Sequence, residues 1–252
     1  MNHAPFVPFL RYNTSGMVTA VYALPFYLLG LWKRVFLYVG LVLQCVYILT
    51  RGLHLGRLPL VGPHDTLIFL SAAMVAFSIP FNRGTKGHPA LSRGISFAAM
   101  VFTASGILWQ PHNAPLPPVL KTLWFELHVV LAFFSYALFG IGAAIGVFSL
   151  RQKEVFREAL QYRAILIGYC LFSLSMILGG IWAYLAWGTY WLWTPKELWT
   201  SIVWLFYTLY LHARLVQGWS GRPLASLGIF GFFVVMFTYL GVSLFMKSSH
   251  TF

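Results

Sequence analysis

Eight apolar runs, separated by short polar or basic segments, constrain this chain more than any other feature. Only 9% of its 252 residues are charged and 59% are hydrophobic, whereas a soluble domain carries about 25% charged residues. A run of about 20 apolar residues is long enough for a helix that crosses a bilayer. The sequence therefore predicts an all-α polytopic membrane helix bundle, one domain over residues 1–252, with about eight transmembrane helices near 16–32, 35–50, 66–82, 95–109, 123–150, 163–186, 199–218 and 224–246.

The basic residues lie between these runs and predict the topology. The chain has 17 Lys and Arg and a net charge of +12. If the segment 151–163 is cytoplasmic and the sides alternate, eleven of the 17 fall in inner loops and six outside, as the positive-inside rule requires. Both termini and the segments 51–66, 110–122 and 187–199 are then predicted outside. Because the basic residues lie between the membrane runs, no nucleic-acid partner is predicted. Residues 1–16 show no cleavable signal pattern.

The segment from Trp187 to Trp199 is the densest aromatic stretch between two runs. It holds four tryptophans and one tyrosine in thirteen residues, with Gly188 and Pro195 shaping its backbone. Aromatic residues are enriched at membrane interfaces in any case, but an interfacial belt accounts for only one or two at each helix end. Flat side chains gathered in one loop instead favour a platform for a flat apolar ligand.

Two histidines are predicted on the same side of the membrane as this loop. His128 lies near the outer end of the fifth run, and His250 lies just past the eighth. Two neutral imidazoles on opposite faces of a porphyrin are a common way to hold heme iron. A third, His212, lies toward the inner part of the seventh run, where an ionisable residue is costly and tends to be functional. We expect it to face the bundle interior or a partner interface rather than lipid.

The cysteines carry no redox motif. Cys45 and Cys170 each lie in the middle of an apolar run, and the sequence contains no Cys-x-x-Cys. Such cysteines are expected to be small buried hydrophobic side chains. Any thiol–disulfide chemistry that the process requires is therefore expected from another protein.

The pattern Trp187-Gly-x-x-Trp-x-Trp-x-Pro-Lys-Glu-x-Trp199 resembles the tryptophan-rich WWD signature of heme-handling membrane proteins. The downstream Tyr210-Leu-His-Ala-Arg214 and the stretch 59–70 are similar to motifs of one branch, the CcsA (ResC) family of system II cytochrome c biogenesis. The segments 127–136 and 249–251 match, in order, the two places where that branch has its outer histidines. The resemblance covers residues 51–252.

The resemblance implies a heme b protein in which His128 and His250 are axial ligands at an outer site. His212 would serve a second heme within the membrane, with its other ligand supplied by a CcsB (ResB) companion. Beneath the outer heme would lie the Trp-rich loop, represented by Trp187, Gly188, Trp191, Trp193 and Trp199. Cations that could meet the heme propionates are Lys121, Lys196 and Lys247.

The same resemblance implies the partners and the location. They are a CcsB/ResB-like membrane protein, an apocytochrome c and a thiol-reducing protein, in a bacterial inner membrane or a thylakoid membrane, with heme on the outer or lumenal side. The chain would present heme for thioether attachment as a subunit of a cytochrome c synthase. No residue is identified as a nucleophile or general base, so no catalytic residue is predicted, and any heme lyase activity would belong to the complex.

The chain departs from the family pattern at two places. Thr194 stands where the signature has Asp, and Gly62, His64 and Asp65 replace Asn, Tyr and Glu of the outer-loop motif. Two alternatives therefore stay open on the residues alone. One is a HemX-like membrane protein that regulates heme synthesis, and the other is a small-molecule transporter without heme.

Overall fold

Helices account for the architecture wherever the structure, a computed structural model, describes the chain, which is over residues 21–84, 89–151 and 155–246. No strand occurs in these ranges. The eight predicted runs are confirmed as eight helices: α1 (Val21–Gly30), α2 (Arg34–Leu55), α3 (Pro63–Gly84), α4 (Pro89–Ile107), α5 (Leu123–Arg151), α6 (Val155–Trp187), α7 (Pro195–Leu215) and α8 (Arg222–Phe245). Six of them, all but α1 and α7, are long and apolar enough to cross a membrane.

Proline and glycine mark several helix boundaries. Pro63, Pro89 and Pro195 begin α3, α4 and α7, where the missing amide hydrogen costs nothing and the fixed φ suits the first turn. Gly56 and Gly188 follow α2 and α6 with φ of 63° and 76°, a conformation that glycine adopts without steric cost. The turns at the end of the bundle that carries the Trp-rich loop are therefore locally encoded.

Several helices extend beyond the runs predicted from hydropathy, α2 and α6 among them. The second run was expected to end near residue 50, but α2 continues to Leu55 because the Arg51 side chain is buried in a polar contact rather than solvated. The sixth run was expected to begin near residue 163, but α6 begins at Val155. Charged residues therefore lie inside both helices, and a hydropathy boundary drawn at the first charge is too short.

The centre of the bundle is formed by α3 and α5. About 72% of the apolar segment of each is buried, against 28–39% in the other four membrane-crossing candidates. α5 packs along α6 and also contacts α3, α4 and α8. The ring of Phe139 on α5 stacks on Tyr207 of α7 with 3.6 Å between the ring centroids. The outer helices present large apolar side chains such as Leu53 of α2 and Phe97 of α4 to the surroundings, as a lipid-facing bundle requires.

Small residues and hydrogen bonds join helices where their backbones approach closely. A Cβ atom on Gly142 of α5 would lie 2.8 Å from Ile165, and one on Gly146 would lie 2.5 Å from the Gln161 side chain, so α5 and α6 pack more closely than larger residues would permit. Elsewhere, Gln44 accepts a hydrogen bond from Tyr27 and donates one to Thr103. Such bonds satisfy polar groups that lipid cannot.

A single π-helical turn interrupts α8. Residues Phe237–Gly241 form it between two α-helical stretches. π-turns inside α-helices are rare and are frequent at functional sites. This turn lies beside the cavity described below.

Candidate functional site

A cavity of about 440 Å³ opens at the end of the bundle where the Trp-rich loop lies. It is enclosed by the starts of α3, α5 and α7 and the ends of α6 and α8. Most of its lining is apolar or aromatic, including Phe125, Phe133, Tyr136, Phe172 and Trp191. A mostly apolar cavity of this volume with a few polar groups is the usual form of a small-molecule or cofactor site.

The cavity is covered by two loops that pack on the end of α6. The indole N–H of Trp182 donates to the Val119 carbonyl at 2.8 Å, and a small apolar cluster surrounds that contact, with Val61, Leu116 and Leu120 as buried members. Val61 and Leu120 belong to the segments 51–66 and 110–122 that were predicted on the outer side. These two segments therefore meet over the cavity.

A buried ion pair fixes the same loops to α2 and α3. The Arg51 guanidinium donates to both carboxylate oxygens of Asp65, at 2.5 and 2.9 Å, with the side chains 7% and 0% exposed. Arg51 also donates to the Asn113 side chain and the His112 carbonyl. Asp65, which departs from the family pattern, is therefore paired with Arg51 in the structure.

His64, beside Asp65, is held in one orientation by groups other than that carboxylate. Its Nδ1–H donates to the carbonyl oxygens of Gly106 and Trp109, at 3.0 and 3.1 Å. Its Nε2 accepts from the Tyr47 hydroxyl at 2.8 Å. With both ring nitrogens engaged and the side chain buried, His64 joins α2, α3 and the end of α4 and does not line the cavity.

His128, predicted as an axial ligand, lines the cavity. Its Nδ1 lies 2.8 Å from the carbonyl oxygen of Ser175 on α6. Because a carbonyl oxygen can only accept, the proton is on Nδ1 and the lone pair of the neutral ring is on Nε2. The Ser175 hydroxyl donates back to the His128 carbonyl at 2.8 Å. Nε2 is therefore the ring nitrogen whose lone pair can bind a metal.

The Trp-rich loop is held by a capping box that the sequence analysis did not recognise. Thr194 is the N-cap of α7; its hydroxyl accepts from the Glu197 amide. Oε2 of Glu197 accepts from the amides of Leu192 and Thr194, each at 2.9 Å. Trp193 lies between those two amides with φ of 56°, a left-handed conformation that costs a non-glycine residue energy. Thr194, Pro195 and Glu197 match the sequence signature of a helix start.

Of the loop residues predicted to bind a ligand, Trp191 lines the cavity, together with its neighbour Tyr190. The indoles of Trp187 and Trp193 are largely exposed, and Trp199 packs on Phe237 at 4.5 Å between centroids. Neither these three nor Gly188 line the cavity. The loop thus contributes one edge of the cavity rather than a continuous floor.

Lys196 is the candidate cation that the structure brings to the cavity. It lines the wall beside Glu197, and burial lowers the pKa of its ammonium below the usual value. Lys121 is exposed and does not line the cavity. Lys247 lies outside the described residues. The acidic residue of this wall is Glu197, and its carboxylate accepts hydrogen bonds from two backbone amides. Within the described part of the lining, the ammonium of Lys196 therefore has no acidic partner.

The π-helical turn of α8 supplies part of the cavity wall. Thr238, Tyr239 and Leu240 line the cavity, and the Tyr239 hydroxyl lies 2.5 Å from the Thr66 hydroxyl on α3. The turn is therefore tied to α3 at the cavity. His250, the second predicted ligand, lies beyond this region and outside the described residues, so its convergence with His128 stays a prediction.

His212 lies away from this cavity, on an exposed face of α7. The buried face of α7 carries Val203, Tyr207, Tyr210 and Ala213. Two residues further on, Arg214 pairs with Glu158 of α6 at 3.5 Å. Within the described chain, His212 therefore does not face the interior of the bundle; that it meets a partner rather than lipid stays a prediction.

Comparison with known proteins defines the class of this membrane bundle. The family of the cytochrome C assembly protein matches residues 61–250, so the chain belongs to that family. Within it the chain is a member of the CcsA family. It is 31% identical to the cytochrome c biogenesis protein CcsA of Guillardia theta over 95% of both chains. It is also 31% identical to CcsA of Prochlorococcus marinus strain NATL1A, covering 78% of this chain and 77% of that one. The resemblance noted in the sequence is confirmed.

A solved structure has the same fold. The cytochrome c heme lyase CcmF superposes with a TM-score of 0.65 at 15% identity, covering 97% of this chain and 51% of CcmF. This chain therefore spans about half the length of CcmF. At that identity the likeness establishes the fold.

Proposed function

We propose that this chain is the heme-handling subunit of a cytochrome c synthase. It binds heme b in the cavity at the end of the bundle with the Trp-rich loop and presents it for thioether attachment to apocytochrome c. The observation that carries the proposal is His128 in the wall of an apolar cavity, with its proton held on Nδ1 by Ser175. The relatives named for cytochrome c biogenesis favour this function over a HemX-like regulator or a heme-free transporter.

The residues of the cavity suit heme in three respects. The apolar and aromatic lining matches a flat macrocycle, the neutral His128 imidazole offers a nitrogen donor for iron, and Lys196 offers a cation for a propionate. His250 is proposed as the second axial ligand. Bound heme supplies the vinyl groups that react with the cysteine thiols of apocytochrome c. The chain itself binds and orients the ring and excludes water from it.

The partners follow from what this chain does not supply. The prediction that Cys45 and Cys170 are buried is wrong, since both are free thiols on exposed helix faces that lipid can cover. Because the sequence has no Cys-x-x-Cys, a separate thiol-reducing protein is proposed to prepare the apocytochrome. The exposed imidazole of His212 is proposed to meet a CcsB/ResB-like partner and, with it, a second heme. We place the Trp-rich loop on the outer or lumenal side of a bacterial inner or thylakoid membrane, as the basic loops predict. Any lyase activity belongs to the assembled complex.

The axial ligand is tested by the absorption spectrum of the protein purified with its membrane partner. His128→Gly should weaken bound heme or convert its low-spin spectrum, and added imidazole should restore it. His54→Gly is the matched control, because His54 lies on α2 and does not line the cavity. An unchanged spectrum in His128→Gly would show that this histidine is not a ligand.

The propionate contact is tested with two forms of the same ligand. Lys196→Gln should weaken binding of hemin, because a charge-assisted hydrogen bond to a carboxylate is lost. The same variant should bind hemin dimethyl ester, which has no free carboxylate, as the unaltered protein does. Lys121→Gln is the control, since Lys121 is exposed. Equal loss for hemin and its ester would show that Lys196 acts on the fold of the cavity and not on a carboxylate.

A further inference from the structure

Two residues of α6, one helical turn apart, surround the imidazole of His128. Ser175 contributes its carbonyl oxygen to Nδ1 and its hydroxyl to the backbone of His128. Gly179 leaves the space that the ring occupies: a Cβ atom there would lie 2.6 Å from Nδ1 and 2.7 Å from Cε1. Non-bonded atoms do not approach so closely, so even an alanine would force the ring to move.

We propose that Ser175 and Gly179 are positioning residues for His128, which together set the tautomer of its imidazole and the direction of Nε2. The inference rests on the proposed role of His128 as a ligand and extends it to α6. Ser175 determines which nitrogen carries the proton, and Gly179 determines where the ring can lie. Neither residue would touch the heme iron; each acts through the imidazole of His128.

The physical reason for such a pair is the geometry of metal binding by histidine. A ligating ring must present a lone pair, and the hydrogen bond at the other nitrogen decides which nitrogen has it. Partners of this kind also raise the basicity of the ligand, and their loss typically costs about 10–100-fold in metal affinity. In α6 the hydrogen-bond acceptor is a backbone carbonyl, which every residue type at position 175 would supply. The Ser175 hydroxyl also lies 3.2 Å from Nδ1, but the carbonyl fixes the tautomer, so the side-chain requirement is sharpest at Gly179, where any Cβ atom would meet the ring.

Gly180 provides a matched control on the same helix. A Cβ atom at Gly180 would meet its nearest neighbour, the Tyr190 carbonyl oxygen, at 3.6 Å, which is ordinary van der Waals contact. Gly179→Ala and Gly180→Ala therefore make the same chemical change in adjacent positions, and only the first intrudes on His128. Both changes raise helix propensity equally, so a difference between them reports on the ring.

The first experiment is a hemin titration of each variant in detergent, with the partner protein present. We expect Gly179→Ala to bind hemin about 10–100-fold more weakly and to lose low-spin character, with added imidazole restoring the low-spin spectrum. Gly180→Ala should match the unaltered protein. Equal affinity and spectrum in all three proteins would overturn the role of Gly179, and so would an equal loss in both variants. If the unaltered protein binds no hemin, the proposed function fails instead.

The second experiment needs no variant of α6 and no heme. The ¹⁵N chemical shifts of histidine side chains in the ligand-free protein distinguish the two neutral tautomers, and His128→Gln assigns the signal. We expect His128 to carry its proton on Nδ1, because the acceptor at 2.8 Å is a carbonyl oxygen. A proton on Nε2 in the neutral ring would refute the positioning by Ser175, whatever the outcome of the hemin titration.

Discussion

Arg51→Met should destabilise this protein more than most single substitutions, because it leaves a carboxylate buried without its cation. Arg51 binds both oxygens of Asp65, and the two side chains are 7% and 0% exposed. Methionine preserves much of the length and the apolar stem of arginine but none of its donors. The Tyr47 hydroxyl oxygen lies 3.4 Å from the carboxylate, but its proton is already donated to Nε2 of His64.

The magnitude follows from comparing the single with the double substitution. Removing one partner of a buried ion pair costs about 3–5 kcal/mol, whereas replacing both by apolar residues is often close to neutral. In Arg51→Met/Asp65→Leu the Asn113 side chain still loses its donor, at a net cost of about 0.5–1.5 kcal/mol, whereas the His112 carbonyl keeps the hydrogen bond from Arg57. Because that loss is common to both variants, it cancels in the comparison, and we expect the double variant to be more stable than Arg51→Met by about 3–5 kcal/mol.

The assay is reversible unfolding by SDS in mixed micelles, followed by the fluorescence of the ten tryptophans. Arg93→Met is the matched control, because Arg93 is exposed and its Nε donates to the Leu31 carbonyl. That variant should change the free energy of unfolding by about 0.5 kcal/mol or less. The reasoning is refuted if Arg51→Met costs no more than Arg93→Met, or if the double variant loses as much as the two single variants added together.

Three further predictions use the same unfolding assay. Thr194→Ala should cost about 0.5–2 kcal/mol through loss of the N-cap, whereas Thr194→Asp should be nearly neutral because aspartate also caps; equal loss in both would contradict the capping role. Trp193→Gly should stabilise by about 1 kcal/mol, since φ is 56° and the indole is 70% exposed, and destabilisation would mean that the indole has a packing role. Gly146→Ala should destabilise by about 1–3 kcal/mol, because its Cβ atom would meet the Gln161 side chain at 2.5 Å; unchanged stability would show that α5 and α6 can separate freely.

The helices could be predicted from the sequence because lipid leaves few other solutions for long apolar runs. Their ends could not, where a charge is satisfied by tertiary contacts. Arg51 ends an apolar run in sequence but lies inside α2, because its partner Asp65 is brought to it only by the packing of α2 on α3. A hydropathy scale gives every charged residue the same cost of burial, because the tertiary partner that satisfies the charge does not appear in the local sequence.

The site was predictable in part for a similar reason. Placing His128 and Trp191 near one another required only the side of the membrane and the order of the helices, and both line the cavity. Ser175 and Gly179 depend on the register in which α5 crosses α6, which no local pattern encodes. Thr194 and Glu197 were different: their spacing is a readable capping signature, but Thr194 was considered only as a departure from the family pattern.

The π-helical turn Phe237–Gly241 has a consequence for how this family can vary in length. A turn of this kind accommodates one more residue than the α-helix on either side of it, so the surplus is absorbed locally and the flanking turns keep their faces. Tyr239, within the turn, makes its contact with Thr66, while Val242 after it is still buried. A relative that lacks one residue here could continue as an unbroken α-helix and still present its C-terminal segment toward the same neighbours. Alignments across this turn should therefore tolerate a one-residue gap.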